Sequence, residues 1–92
     1  MTVTETRIRP SKDLSQFGNV AEADVTLDYE LVIRGLSIRK NAHGVLSVDF
    51  PHWKRYDGAR TEIVYPIVPY IRGIIAHFIL KDYQRMLETV YG

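Results

Sequence analysis

Residues 70–91, YIRGIIAHFILKDYQRMLETVY, are the longest run in the chain that is compatible with helix. Pro66 and Pro69 close off what precedes the run, and Gly92 follows it. At 3.6 residues per turn, Ile71, Ile75, Phe78, Ile79, Tyr83, Met86 and Val90 fall on one side as a wide apolar stripe. Ile74, Ala76, Leu80 and Leu87 lie outside that stripe. No second helix of comparable length can be written elsewhere. What lies upstream reads as short strands, which need such a cover. The fold class expected is therefore α+β: a small antiparallel sheet of about five strands under one long C-terminal helix.

Working back from the helix, Thr61 to Tyr65 reads as a last short strand. His52 to Arg60 (HWKRYDGAR) is a basic-aromatic connection around the turn dipeptide Asp57–Gly58. Before it, Leu46, Val48 and Phe50 alternate with Ser47 and Asp49 until Pro51, and Asn41 to Gly44 is a turn. In Leu31 to Arg39 the parity of the apolar residues switches: Leu31 and Ile33 share one face, Leu36 and Ile38 the other. A bulge at Arg34–Gly35 would return both pairs to the core. Ala21, Ala23, Val25 and Leu27 alternate with Glu22, Asp24, Thr26 and Asp28, a half-buried strand that turns at Asp28–Tyr29. Ser11 to Asn19 is a polar loop or hairpin connection. Val3 to Arg9 is an opening strand with Thr4, Thr6 and Ile8 on one face.

With 92 residues, this is a single domain with one core. Cysteine is absent, which excludes disulfides, thiolate zinc sites and cysteine nucleophiles, and fits a reducing cytoplasm. No apolar run is long enough to span a membrane, and MTVTETRIRP lacks the apolar core of a secretory signal. The expected location is the cytoplasm. A formal net charge of +1 neither demands nor forbids an anionic partner, so charge placement must decide.

The order and spacing of these pieces resemble the SpoVG family of small bacterial septation and sporulation regulators. The likeness rests on VTLDYELVIRGLSIRKNAHG from Val25, the strand that ends at Pro51, and the basic loop with Asp57–Gly58. It continues through IVYPI (63–67) and Arg72–Gly73 to Tyr83, and TETRIR resembles the family's opening strand. It spans the whole chain except Ser11 to Asn19 and the last few residues. It implies a small sheet with a C-terminal helix, dimerisation through strands, and binding to DNA, with RNA as a second ligand, in the control of gene expression. The chain departs from the family in its helix, where a lysine is usual at Ile74 and polar or small residues at Ala76 and Phe78. Here 74–80 is apolar almost all round, which moves weight off the helix as a nucleic-acid surface and toward burial against another chain.

The best candidates for a nucleic-acid surface are Trp53, Lys54, Arg55, Tyr56 and Arg60. Cations neutralise phosphates and aromatic rings stack on unpaired bases. The rival reading is a solvated loop whose Trp53 tucks under the sheet edge. Arg72 opposes the helix dipole in the first turn, so it serves either a bound anion or an ion pair with Glu62. Arg7, Arg9, Arg34, Arg39 and Lys40 are expected to face Glu5, Glu22, Asp24 and Glu30 in a salt-bridged surface. Lys81 and Arg85 flank the helix as surface charge. Asp82 sits near the centre of the apolar stripe and demands a close partner such as an arginine or a tyrosine hydroxyl.

His43, His52 and His77 lack metal-ligand spacing, and no phosphate loop, nucleophile elbow or carboxylate pair is visible, so neither a metal, a cofactor nor catalysis is expected. Two functions follow. The first is a nucleic-acid-binding homodimer. The second is a protein-interaction module that uses an exposed strand edge and the apolar helix through Ile74, Phe78, Leu80 and Leu87. An enzyme of unknown type would require Asp82 to line a pocket.

Overall fold

The structure is a computed structural model that describes residues 1–11 and 18–91. Four strands form an antiparallel meander in the order β1 (Val3–Pro10), β2 (Gly18–Leu27), β3 (Leu31–Lys40), β4 (Leu46–Asp49). A separate two-stranded hairpin follows, β5 (His52–Lys54) and β6 (Arg60–Glu62), and then helix α1 (Pro69–Tyr91). The α+β class and the single long helix are as expected. The helix opens one residue earlier than expected, on Pro69, whose missing N–H is harmless in the first turn.

α1 lies across one face of the sheet, against β1, β2 and β4. Between the two layers are Val20, Ala21, Ala23, Val25 and Leu27 of β2, Leu36 and Ile38 of β3, Phe50 beyond β4, and Ile75, Ile79 and Tyr83 of the helix. The bulge at Arg34–Gly35 is present: Ala23 pairs with Leu36 but Val25 with Ile33, and Gly35 has φ +83°. It returns Leu36 to the core after Ile33, as the parity switch requires. The β2–β3 turn has three residues, Asp28 to Glu30; Asp28 and Tyr29 are left-handed, with φ of 53° and 57°, and Glu30 N–H donates to the Leu27 carbonyl at 2.9 Å. Thr2 ties it down, its N–H donating to Asp28 Oδ1 at 2.8 Å. The Asn41–Gly44 turn holds because Asn41 Oδ1 accepts from the N–H groups of His43 and Val45.

Three expectations are corrected. The last strand is not Thr61–Tyr65 in the main sheet but Arg60–Glu62, paired with β5, so the expected basic loop is itself a hairpin. Its register is fixed at the base, where Ile63 N–H donates to the Pro51 carbonyl at 2.7 Å. Second, Phe78 is 43% exposed, whereas Leu80 and Leu87 pack against the core. Phe78 and Leu80 stand about 100° to either side of Ile79, so periodicity alone cannot choose between them, and the sheet covers the Leu80 flank. Third, β2 opens at Gly18, two residues before the alternation begins, because a second bulge between Asn19 and Ala21 turns both Val20 and Ala21 inward. The rest of the expected Ser11–Asn19 connection lies, apart from Ser11, outside the described residues. Among those residues no helix is long and apolar enough to cross a membrane.

Candidate nucleic-acid interface

In the β5–β6 hairpin His52 pairs with Glu62, Trp53 with Thr61 and Lys54 with Arg60. Side chains alternate across a strand, so His52, Lys54, Arg60 and Glu62 share one face and Trp53 and Thr61 the other. The tip is a turn in which Gly58 N–H donates to the Arg55 carbonyl and Asp57 Oδ1 accepts from Ala59 N–H. Gly58 supplies its positive φ of 88°. Trp53 is 55% exposed and Tyr56 fully exposed, so Trp53 does not tuck under the sheet edge.

The four cations assigned to this site divide into two pairs. Lys54 and Arg55 are exposed and have no ion pair with a described residue. Arg60 is drawn back toward the body: its Nη2 lies 3.4 Å from Asp49 Oδ2 and 2.7 Å from His52 Nε2. His52 Nδ1 stands 3.0 Å from the Phe50 carbonyl, so the ring that satisfies both contacts carries its proton on Nδ1 and accepts from Arg60 at Nε2. Sequence reasoning missed His52 in this role; its two-residue offset from Phe50 is visible, but its contact with Arg60 depends on the hairpin register.

Arg72 grips Glu62 with both guanidinium arms, Nη1 to Oε2 at 3.0 Å and Nη2 to Oε1. The same guanidinium stacks 4.6 Å above the ring of the buried Phe50. The hydrogen bond from Arg72 holds the Glu62 carboxyl below its ordinary range, against the opposing effect of partial burial, and the bond back to Glu62 raises Arg72. Of its two expected roles, Arg72 therefore takes the ion pair with Glu62. It positions the hairpin against the helix.

The strand-face charges pair only in part as expected: Arg7 and Arg9 meet the expected acids, Arg39 meets Asp49 instead, and Arg34 and Glu30 make no ion pair with a described residue. Arg9 makes a two-armed contact with Asp24 at 2.8 and 3.0 Å, Arg7 meets Glu5 at 3.0 Å and Arg39 meets Asp49 at 3.6 Å. The Arg9 hydrogen bond also holds Asp24 below the usual carboxylate range. Asp82 has a close partner, but it is a threonine rather than the expected arginine or tyrosine: Asp82 accepts from Thr6 Oγ1 of β1 at 2.7 Å. It lines a shallow cleft of about 160 Å³ with Phe78, Lys81 and Arg85. Lys81 and Arg85 have no ion pair with a described residue. Of the helix residues considered for a partner, Phe78 is exposed, Ile74 is half-buried, and Leu80 and Leu87 are engaged with the core.

The largest feature that sequence reasoning missed is the strap between hairpin and helix. Ile63, Val64, Tyr65, Ile67, Val68 and Tyr70 are all substantially exposed, Ile67 at 91%. Two prolines in eight residues was the available signal: they keep this apolar segment out of any sheet.

Fold and site together define a small α+β domain whose meander carries a basic-aromatic hairpin clamped to a C-terminal helix. The SpoVG family model matches residues 1–85. This chain is similar to the SpoVG protein of Bacillus subtilis (strain 168), at 30% identity over 97% of this chain and 89% of the relative. It is 35% identical to that of the archaeon Archaeoglobus fulgidus, over 89% and 93% of the two chains. With the SpoVG protein of Myxococcus xanthus it shares 31% identity over 96% and 85%. The chain belongs to the SpoVG family.

Proposed function

We propose that this chain is a nucleic-acid-binding regulator of gene expression, acting without catalysis as a homodimer in the cytoplasm. DNA is the principal ligand and RNA the second. The observation that carries this reading is the state of Lys54 and Arg55. Both are exposed on the hairpin with no ion pair to a described residue, beside the exposed rings of Trp53 and Tyr56. Lys54 also stands opposite Arg60 in the hairpin register, a like-charge pair that an intervening phosphate would relieve. Affinity then comes mainly from phosphate neutralisation, with the rings available to unpaired bases. Arg72 contributes by holding the hairpin in place.

A gel-shift titration with Lys54→Glu combined with Arg55→Glu tests the site. Loss of about ten-fold or more in affinity is expected if two phosphate contacts go. Unchanged affinity in a folded variant would overturn it. The second reading, a protein-interaction module, is favoured by the exposed apolar strap Ile63–Tyr70. The relatives are named for septation, which fits either mode of action.

A further inference from the structure

Both ring nitrogens of His52 are committed, and both commitments belong to the neutral ring. Nδ1 lies 3.0 Å from the Phe50 carbonyl, an oxygen that can only accept, so Nδ1 carries the proton. Nε2 lies 2.7 Å from Arg60 Nη2, a nitrogen that can only donate, so Nε2 must be bare. A second proton has no place in this arrangement. It would set a ring N–H against a guanidinium N–H, with two like charges 2.7 Å apart. The other contact that holds Arg60 is looser: Asp49 Oδ2 is 3.4 Å away, and Arg39 also claims it from 3.6 Å.

We propose that protonation of His52 releases Arg60 from the body of the domain and adds it to the hairpin surface as a third phosphate contact beside Lys54 and Arg55. The inference rests on the proposed nucleic-acid site and gives that site a positioning residue, His52, which acts through Arg60. Arg60 is directly opposite Lys54 in the hairpin register, so the two side chains share a face. Its side chain is already 52% exposed, and it reaches that face by rotation about its own bonds, without backbone movement.

The charges around the ring favour this exchange. On β6, Glu62 lies directly across from His52, and on β5 the next side chain of the same face is Lys54. From the end of β4 comes Asp49, with Arg39 of β3 behind it. From the helix comes Arg72, which holds Glu62 with both arms. Arg72 is the main cause of the lowered Glu62 carboxyl, and a positive charge on His52 adds to it. When Arg60 leaves, the cation nearest the ring is gone, while Asp49 and Glu62 remain to face an imidazolium. Asp49 keeps Arg39 as its partner. The neutral ring thus docks Arg60 and the charged ring frees it, so affinity for a polyanion rises as pH falls.

Two measurements test the exchange, one of them without nucleic acid. Long-range proton–nitrogen NMR at about pH 8 should show His52 with its proton on Nδ1, and acid should shift the Arg60 side-chain signals together with the ring's. A neutral His52 protonated on Nε2, or Arg60 signals that ignore the ring's titration, overturns the proposal and leaves the nucleic-acid reading intact. In fluorescence anisotropy with a duplex DNA, wild-type affinity should gain about three-fold or more over that of His52→Gln between about pH 8 and about pH 5.5. His43 and His77 are present in both proteins, so their titration cancels in the comparison. Arg60→Gln should abolish this gain although His52 still titrates. A gain that persists in Arg60→Gln overturns the proposal, because His52 then acts on the phosphates directly. A wild type that binds no DNA at any pH overturns the nucleic-acid reading and, with it, the delivery of Arg60 to a phosphate.

Discussion

Arg72 joins three parts of the chain through one guanidinium: the helix that carries it, Glu62 on β6, and the Phe50 ring beneath. Both charged side chains are more than a third exposed, so solvent screening keeps the pair's contribution to stability to about 1 kcal/mol or less. The carboxyl of Glu62 is held below its ordinary range, so its contribution is complete above the ordinary glutamate pKa and disappears as pH falls through the lowered one. Glu62→Gln should flatten that acid arm of the stability curve, measured by urea unfolding at a series of pH values. An unaltered arm would mean that the pair contributes nothing. At this scale the sequence is partly legible. Glu62 could be named as a partner for Arg72 because a cation in a first helical turn needs an anion. The contact between His52 and Arg60 could not, since it exists only once two three-residue strands are in register.

The helix shows what periodicity resolves and what it leaves open. Ile75, Ile79 and Tyr83 form the buried line that a 3.6-residue repeat predicts. The flanks are degenerate, because Phe78 and Leu80 are equivalent on the helix wheel until the sheet arrives. Ile79→Ala should therefore cost about 2–5 kcal/mol in a denaturant titration. Phe78→Ala should cost well under half as much, because that ring is 43% exposed. Equal costs would mean that the helix is rotated toward Phe78. Strand parity was more decisive: the switch between Ile33 and Leu36 could be satisfied only by a bulge, and Gly35 supplies the left-handed residue it needs. The sixth strand was hidden because Thr61–Tyr65 is β-favouring throughout, yet its hydrogen-bonding partner is the segment just before the turn.

Across the whole molecule, a formal charge of +1 conceals an uneven distribution. Most strand-face arginines are matched to acids, while Lys54 and Arg55 at one end make no ion pair with a described residue. Binding to duplex DNA should thus weaken with salt at a log–log slope near −0.9 for each phosphate neutralised. Lys54→Gln with Arg55→Gln should make that slope shallower by about 2, read from fluorescence anisotropy at several salt concentrations. A slope that does not change would place the phosphate contacts elsewhere. Trp53 is the only tryptophan, so its emission reports on the hairpin without a label.

No residue between Phe50 and Ile75 belongs to the buried core, although these positions hold the hairpin, its tip and the strap. The residues that pack the layers and those that present exposed side chains thus occupy separate parts of the chain. Substitutions at the tip can therefore alter the surface it offers while the packed layers beneath keep the same shape.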